Sequence, residues 1–165
     1  MIWNPEAETL GRDARAALQL ARLNETLAWA HARVSFCATR WPREVRGLEA
    51  VADLPFTRKS DLREHYPFGL FALPTAELAR VHASSGTKGK PTVVGYSAGD
   101  LDVWREVMAR AMTAAGARRG HLLHLAFGYG LFTGGLGFHD GAERIGMAVV
   151  PVSSGNTARP HLLLR

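Results

Sequence analysis

One cysteine, Cys37, is the whole thiol content of this 165-residue chain. It can form no internal disulfide and has no neighbouring Cys or His at the spacing of a zinc site, so it reads as a small buried hydrophobe. No run approaches the roughly 18 apolar residues that a membrane-spanning helix requires. Residues Met1 to Leu10 hold Asn4, Glu6 and Glu8 where a secretory signal would place basic residues and then an apolar run. These absences predict a cytoplasmic protein with no membrane partner. The surplus of positive charge is small: 20 Lys and Arg against 15 Asp and Glu give a formal charge of +5. The bases are spread along the chain among acids, and the short clusters Arg118-Arg119 and Arg40 to Arg46, the latter holding Glu44, read as solvated surface, so no nucleic-acid partner is expected. There is no internal repeat and no low-complexity linker.

What is present is enough apolar residue, 47%, to build a core. Asn4-Pro5-Glu6 is a helix start, because Asn accepts from a free backbone N–H and Pro5 lacks the donor that would need a partner. The helical pattern predicted from there runs to about Val34, with a break near Asn24. Ala17, Leu18, Leu20, Ala21, Leu23, Leu27, Ala30 and Val34 recur at the spacing of one buried face. Between Phe36 and Pro74, Pro42, Pro55, Pro67 and Pro74 interrupt regular structure and predict an irregular cap.

Leu78 to Ala83 and Thr92 to Tyr96 read as short strands around a polar loop. Ser97-Ala98-Gly99-Asp100 has the form of a capping box, followed by a stripe of Leu101, Trp104, Val107, Met108, Ala111, Met112 and Ala115 and an end near Gly116. Leu122 to Ala126 reads as a strand, Phe132 to Ile145 as a glycine-bearing helix, and Met147 to Val152 as a strand. Strand, helix and strand in succession predict an α/β fold behind a helical N-terminus.

The loop Ser84-Ser85-Gly86-Thr87-Lys88-Gly89-Lys90-Pro91 concentrates hydroxyls, glycines and two ammonium groups. Glycines let consecutive N–H groups converge as an anion nest, and each charge-assisted hydrogen bond is worth roughly 1.5 to 3 kcal/mol. The glycine spacing excludes a Walker A loop, and Pro91 stands where that motif needs Ser or Thr. Gly128-Tyr129-Gly130-Leu131-Phe132-Thr133 lacks the third glycine of a dinucleotide fingerprint. On composition alone, a phosphate grip and an ordinary surface hairpin stand level.

The longer stretch Val81 to Tyr96 closely resembles the phosphate-loop motif of phenylacetate-coenzyme A ligases. Leu54-Pro55-Phe56-Thr57 with Asp61-Leu62-Arg63, then Tyr66 to Ala72, then Gly128 to Gly137 resemble the same family in its order and spacing. The resemblance runs from near Trp3 to about Thr157. It implies part of the large N-terminal domain of an adenylate-forming enzyme: residues 1–75 a helical and irregular cap, 76–157 a partial AMP-binding core, and 158–165 a divergent tail. It implies ATP, magnesium and coenzyme A as reactants and cofactor, with an aromatic acid such as phenylacetate as substrate.

Carried over residue by residue, the phosphate-binding set is Ser84, Ser85, Gly86, Thr87, Lys88, Gly89 and Lys90. Lys88 is the departure, since the family usually has a second threonine there, and weakened phosphate binding is the expected effect. The aromatic acyl pocket corresponds to Phe127, Tyr129, Gly130 and Phe132, with Phe127 where a tyrosine is more usual; core packing of the two phenylalanines is the competing reading. No catalytic residue and no metal ligand is assigned. His82 reads as a core or supporting histidine, and His139-Asp140 and Glu143-Arg144 as structural surface pairs.

The family's adenine and metal motif, its ribose-binding Asp and its C-terminal catalytic lysine have no counterpart in this chain. The expectation is therefore a truncated ligase, with two alternatives: an inactive nucleotide-binding or partner-binding fragment, or one subunit of a split enzyme. Strand edges and apolar surface left uncovered predict homo-oligomers or association with a chain carrying the missing part.

Overall fold

The computed structural model describes residues 1–84 and 89–152. It divides into two compact units. The first comprises Met1–Glu8, Ala79–Ser84 and the chain from Tyr96 onward, and the second Thr9–Leu78 with the segment ending at Gly95.

In the first unit Asn4 caps the short helix α1 (Pro5–Glu8). Its Oδ1 accepts from the Ala7 N–H at 3.1 Å while the Glu8 carboxylate accepts from the Asn4 N–H at 2.7 Å. Strand β1 (Arg80–Ala83) follows much later in the chain, and the Ala79 N–H donates to the Tyr96 carbonyl at 2.8 Å. Tyr96 closes strand β2 (Val93–Tyr96). Helix α5 (Ala98–Ala114) opens on the predicted capping box. Asp100 N–H donates to Ser97 Oγ at 3.1 Å, and Asp100 Oδ2 accepts from the Ser97 N–H at 2.8 Å. Strand β3 (Leu122–Leu125), helix α6 (Gly134–Ile145) and strand β4 (Ala148–Pro151) complete the unit. β3 and β4 pair in parallel, Leu122 opposite Ala148 and Leu125 opposite Pro151, with α6 as the crossover. Gly146, at φ 87°, ends α6 in the left-handed conformation that favours glycine.

The core lies between α5 and α6: Ala109, Met112, Ala142 and Ile145 are buried, packed by Trp3, Leu123, Met147 and Val149. The buried face of α5 is rotated from the predicted stripe. Leu101, Ala109, Met112 and Thr113 are buried, whereas Val107, Ala111 and Ala115 are exposed. Hydrophobicity alone does not place the buried face; the close approach of α6 does, since an ideal Cβ on Gly141 would lie 2.6 Å from Met108 Cβ.

In the second unit, α2 (Arg12–Arg33) begins after Gly11, so the helical break falls at residues 9–11 and not near Asn24. Asn24 stays helical because its side chain is used elsewhere: Nδ2 donates to the Val45 carbonyl at 3.0 Å and Oδ1 accepts from the Val45 N–H at 2.8 Å. Leu27 is buried, Leu20, Leu23 and Ala30 are half-buried, and Ala17, Leu18 and Ala21 are exposed, so the predicted face is covered only toward its C-terminal end. The predicted irregular region contains α3 (Ser35–Ala38), 3-10 turns at Leu48–Asp53 and Thr75–Glu77, and α4 (Lys59–Glu64). Cys37 is buried, and burial raises its thiol pKa. Among the described residues no helix is long and apolar enough to cross a membrane.

Candidate functional site

β1 leads into the polar loop at Ser84, which is half-buried. The preceding two residues fasten this strand end to the segment between β3 and α6. Leu131 O accepts twice, from the Ala83 N–H at 3.0 Å and from His82 Nδ1 at 2.9 Å. A carbonyl can only accept, so His82 carries its proton on Nδ1. His82 is 2% exposed, and its Nε2 has no hydrogen-bond partner among the described residues. Its ring stands edge-on to Tyr96 and Trp104, at centroid distances of 5.8 and 5.6 Å, and those two rings stack at 5.2 Å. His82 is thus a supporting residue that ties the strand entering the loop to the segment holding Phe127 to Phe132.

That segment does not read as core. Phe127 is 54% exposed, Leu131 61% and Phe132 57%. Three large apolar side chains held in water form a surface that an apolar partner or ligand would cover. Glycines shape its floor. An ideal Cβ on Gly134 would lie 2.9 Å from the Phe127 ring, and one on Gly135 only 2.7 Å from the Gly128 carbonyl oxygen, so the loop can lie flat on the start of α6 only because both are glycine.

Tyr129 points to different company. Its hydroxyl meets His139 Nδ1 at 2.8 Å, and His139 Nε2 meets Glu143 Oε1 at 3.0 Å. Burial first, then the Glu143 and Asp140 carboxylates, raise the Tyr129 pKa. Asp140 is engaged by Arg80 of β1 at 2.8 Å, and Arg144 by Glu106 of α5 at 3.4 Å. The sequence pairs His139-Asp140 and Glu143-Arg144 are therefore not pairs in space, and each member looks to a different neighbour. The i, i+4 spacing of His139 and Glu143 was the available signal for their contact. Nothing in the sequence pointed to Tyr129 as the third member.

Ser85, Gly86, Thr87 and Lys88 lie outside the described residues. Beyond them Gly89 adopts φ 109° with nothing within 4 Å of an ideal Cβ, a backbone state suited to glycine. Lys90 is exposed, with Nζ 5.3 Å from the Tyr66 ring centroid, inside cation–π range. Arg63, Glu64, Gly89 and Lys90 line a cavity of about 320 Å³. In the sequence Arg63 and Tyr66 are legible only as family landmarks, and Glu64 carries no signal of its own.

Comparison with known proteins defines the class first. The fold matches an open conformation of 2-hydroxyisobutyryl-CoA ligase in complex with 2-HIB-AMP and CoA at a TM-score of 0.85 and 29% identity, over 97% of this chain and 39% of that one. It matches the same enzyme in its thioesterification state at a TM-score of 0.86 and 30% identity, over 97% and 36%. This is the architecture of an N-terminal portion of an adenylate-forming CoA ligase.

By sequence the chain is similar to the N-terminal portion of phenylacetate-coenzyme A ligases. It is 57% identical to phenylacetate-coenzyme A ligase of Thermus thermophilus, over 100% of this chain and 38% of that protein. It is 49% identical to that of Aromatoleum evansii and 46% to that of Escherichia coli, over 96% of this chain and 37% and 38% of those proteins. The chain thus spans less than two fifths of the length of the curated relatives it matches. No family model matches it.

Proposed function

We propose that this chain carries the phosphate-gripping and acyl-binding parts of a cytoplasmic ATP-dependent enzyme that activates an aromatic carboxylic acid, phenylacetate, for transfer to coenzyme A. In the first step a carboxylate oxygen bonds to the α-phosphorus of ATP and pyrophosphate leaves. In the second the thiol of coenzyme A displaces AMP from the acyl-adenylate. The protein's contribution to such chemistry is positioning and stabilisation of charge. Ser84, Ser85, Gly86, Thr87, Gly89 and Lys90 serve the phosphates, with Lys88 weakening the grip. Phe127, Tyr129, Gly130 and Phe132 serve the aromatic ring of the acid.

The observation that carries this reading is the double acceptance at Leu131 O. It fastens the strand that enters the phosphate loop to the segment of exposed aromatics. Magnesium is implied by the family, but no group of three His, Cys, Asp or Glu side chains comes together among the described residues.

The exposure of Phe127, Leu131 and Phe132 favours one addition: a further protein segment, from a companion chain or a second copy, shares the covering of this surface with the substrate. The test is ATP-dependent pyrophosphate release with phenylacetate, measured on the purified chain and again with a chain carrying the remaining ligase motifs. Release in either case supports the reading, and release only in the second assigns a split enzyme. Absence of release in both, with no ATP binding by titration, refutes it.

A further inference from the structure

Tyr129, His139 and Glu143 form a chain of hydrogen bonds whose direction is fixed at one end. The Glu143 carboxylate can only accept, so His139 Nε2 carries a proton and donates to it over 3.0 Å. In the neutral imidazole Nδ1 is then bare, and the Tyr129 hydroxyl donates to it over 2.8 Å. The ring of His139 stands edge-on to that of Tyr129 at 5.6 Å, which holds the pair in register. With its proton committed to His139, Tyr129 can offer only an oxygen lone pair to anything else.

Protonation of His139 reverses the second bond. Nδ1 then carries a hydrogen and donates to the Tyr129 oxygen, and the phenolic O–H is released to point elsewhere. We propose that His139 is a positioning residue that sets the direction of the Tyr129 hydroxyl, so that the acyl site presents a lone pair when the imidazole is neutral and a proton donor when it is charged. This inference rests on the acyl-site reading of Phe127 to Phe132. A carboxylate accepts and cannot donate, so the charged form of the relay is the one that welcomes it.

The other charged side chains of α6 are paired. On α6 itself, Asp140 is paired with Arg80 of β1 and Arg144 with Glu106 of α5. Also on α5, Arg110 lies within 3.8 Å of Glu106, and Asp102 pairs with Arg105. β3 contributes His124, whose Nε2 is buried without a hydrogen-bond partner among the described residues, and β4 carries no ionisable side chain. Glu143 is thus the acid bonded directly to His139, and its carboxylate accepts from Nε2 in both states of the ring. Tyr129 keeps its proton in both states, because burial and the nearby carboxylates oppose its ionisation.

The test is phenylacetate binding to the full chain by calorimetry between about pH 5.5 and 8.5, the range in which histidines commonly titrate, with 2-phenylethanol as the uncharged comparison. The wild-type chain is expected to bind phenylacetate about tenfold more tightly at the acid end, the factor expected for one added charge-assisted hydrogen bond. The alcohol is expected to bind evenly. Tyr129→Phe and His139→Gln, each checked for folding by circular dichroism, are both expected to flatten the phenylacetate profile. Binding whose pH dependence survives in either folded variant overturns the inference and leaves the acyl-site reading intact. Failure of the wild-type chain to bind phenylacetate at any pH overturns both.

Discussion

Replacing Gly137 with alanine sets two known effects against each other. Gly137 lies inside α6 and is buried. In an unconstrained helix interior Gly→Ala stabilises by about 1 kcal/mol. Here, however, an ideal Cβ would lie 2.8 Å from Trp104 Cζ2, 2.9 Å from its Nε1 and 3.0 Å from its Cε2. The indole cannot simply swing aside, because it stacks on Tyr96 at 5.2 Å and meets the His82 ring at 5.6 Å. Overpacking of a filled site costs roughly 1 to 3 kcal/mol, so the net expected change is a destabilisation of about 1 kcal/mol. For a chain of this size that corresponds to a fall in Tm of about 2 to 4 °C. The displaced indole would also disturb His82 and, through it, the bond to Leu131 O. Thermal unfolding followed by circular dichroism gives the stability, and tryptophan emission reports the indole's surroundings. Gly99→Ala is the control: there the nearest atom to an ideal Cβ is Ser97 Oγ at 3.7 Å, and a gain of about 0.5 kcal/mol is expected. A Gly137→Ala chain as stable as Gly99→Ala, with unchanged emission, would refute the packing of Trp104 on α6.

Asn24→Ala removes both partners of the Val45 backbone and is expected to cost about 1 to 3 kcal/mol in urea unfolding; a loss under about 0.3 kcal/mol would contradict it. The indole of Trp3 donates to Glu106, which also bonds Asn4 and faces Arg144 and Arg110, and together they hold its carboxyl below the usual carboxylate range against the opposing effect of burial. A depressed carboxyl contributes stability above its unfolded pKa and loses it as pH falls through the folded value. The wild-type chain should therefore lose more stability on acidification than Glu106→Gln, and parallel pH profiles of Tm would contradict this. Lys88→Thr restores the hydroxyl that the family usually has and is expected to tighten ATP binding several-fold in a calorimetric titration; weaker binding would assign Lys88 to the phosphates instead.

Much of the scaffold was legible because it rests on local chemistry. The capping box at Ser97 and Asp100, the cap at Asn4, the end of α6 at Ile145 and the β3–α6–β4 order each follow from residues close together in the chain. The likeness to phenylacetate-coenzyme A ligases was legible too, since the order and spacing of several motifs carry more information than any one loop. The sequence could not decide contacts between segments distant in the chain. Asn24 looks like a helix breaker until Val45 is beside it, and Val107 looks buried until the close approach at Gly141 turns α5. His139 and Glu143 look like surface until Tyr129 is folded over them, and His82, legible as a core or supporting residue, gains its partner only when Leu131 O is seen to accept from it. Local preferences depend on a few neighbouring dihedrals and donors, which the sequence states directly. The direction of a side chain in a packed interior depends on what arrives from elsewhere in the chain, and only the tertiary structure supplies that.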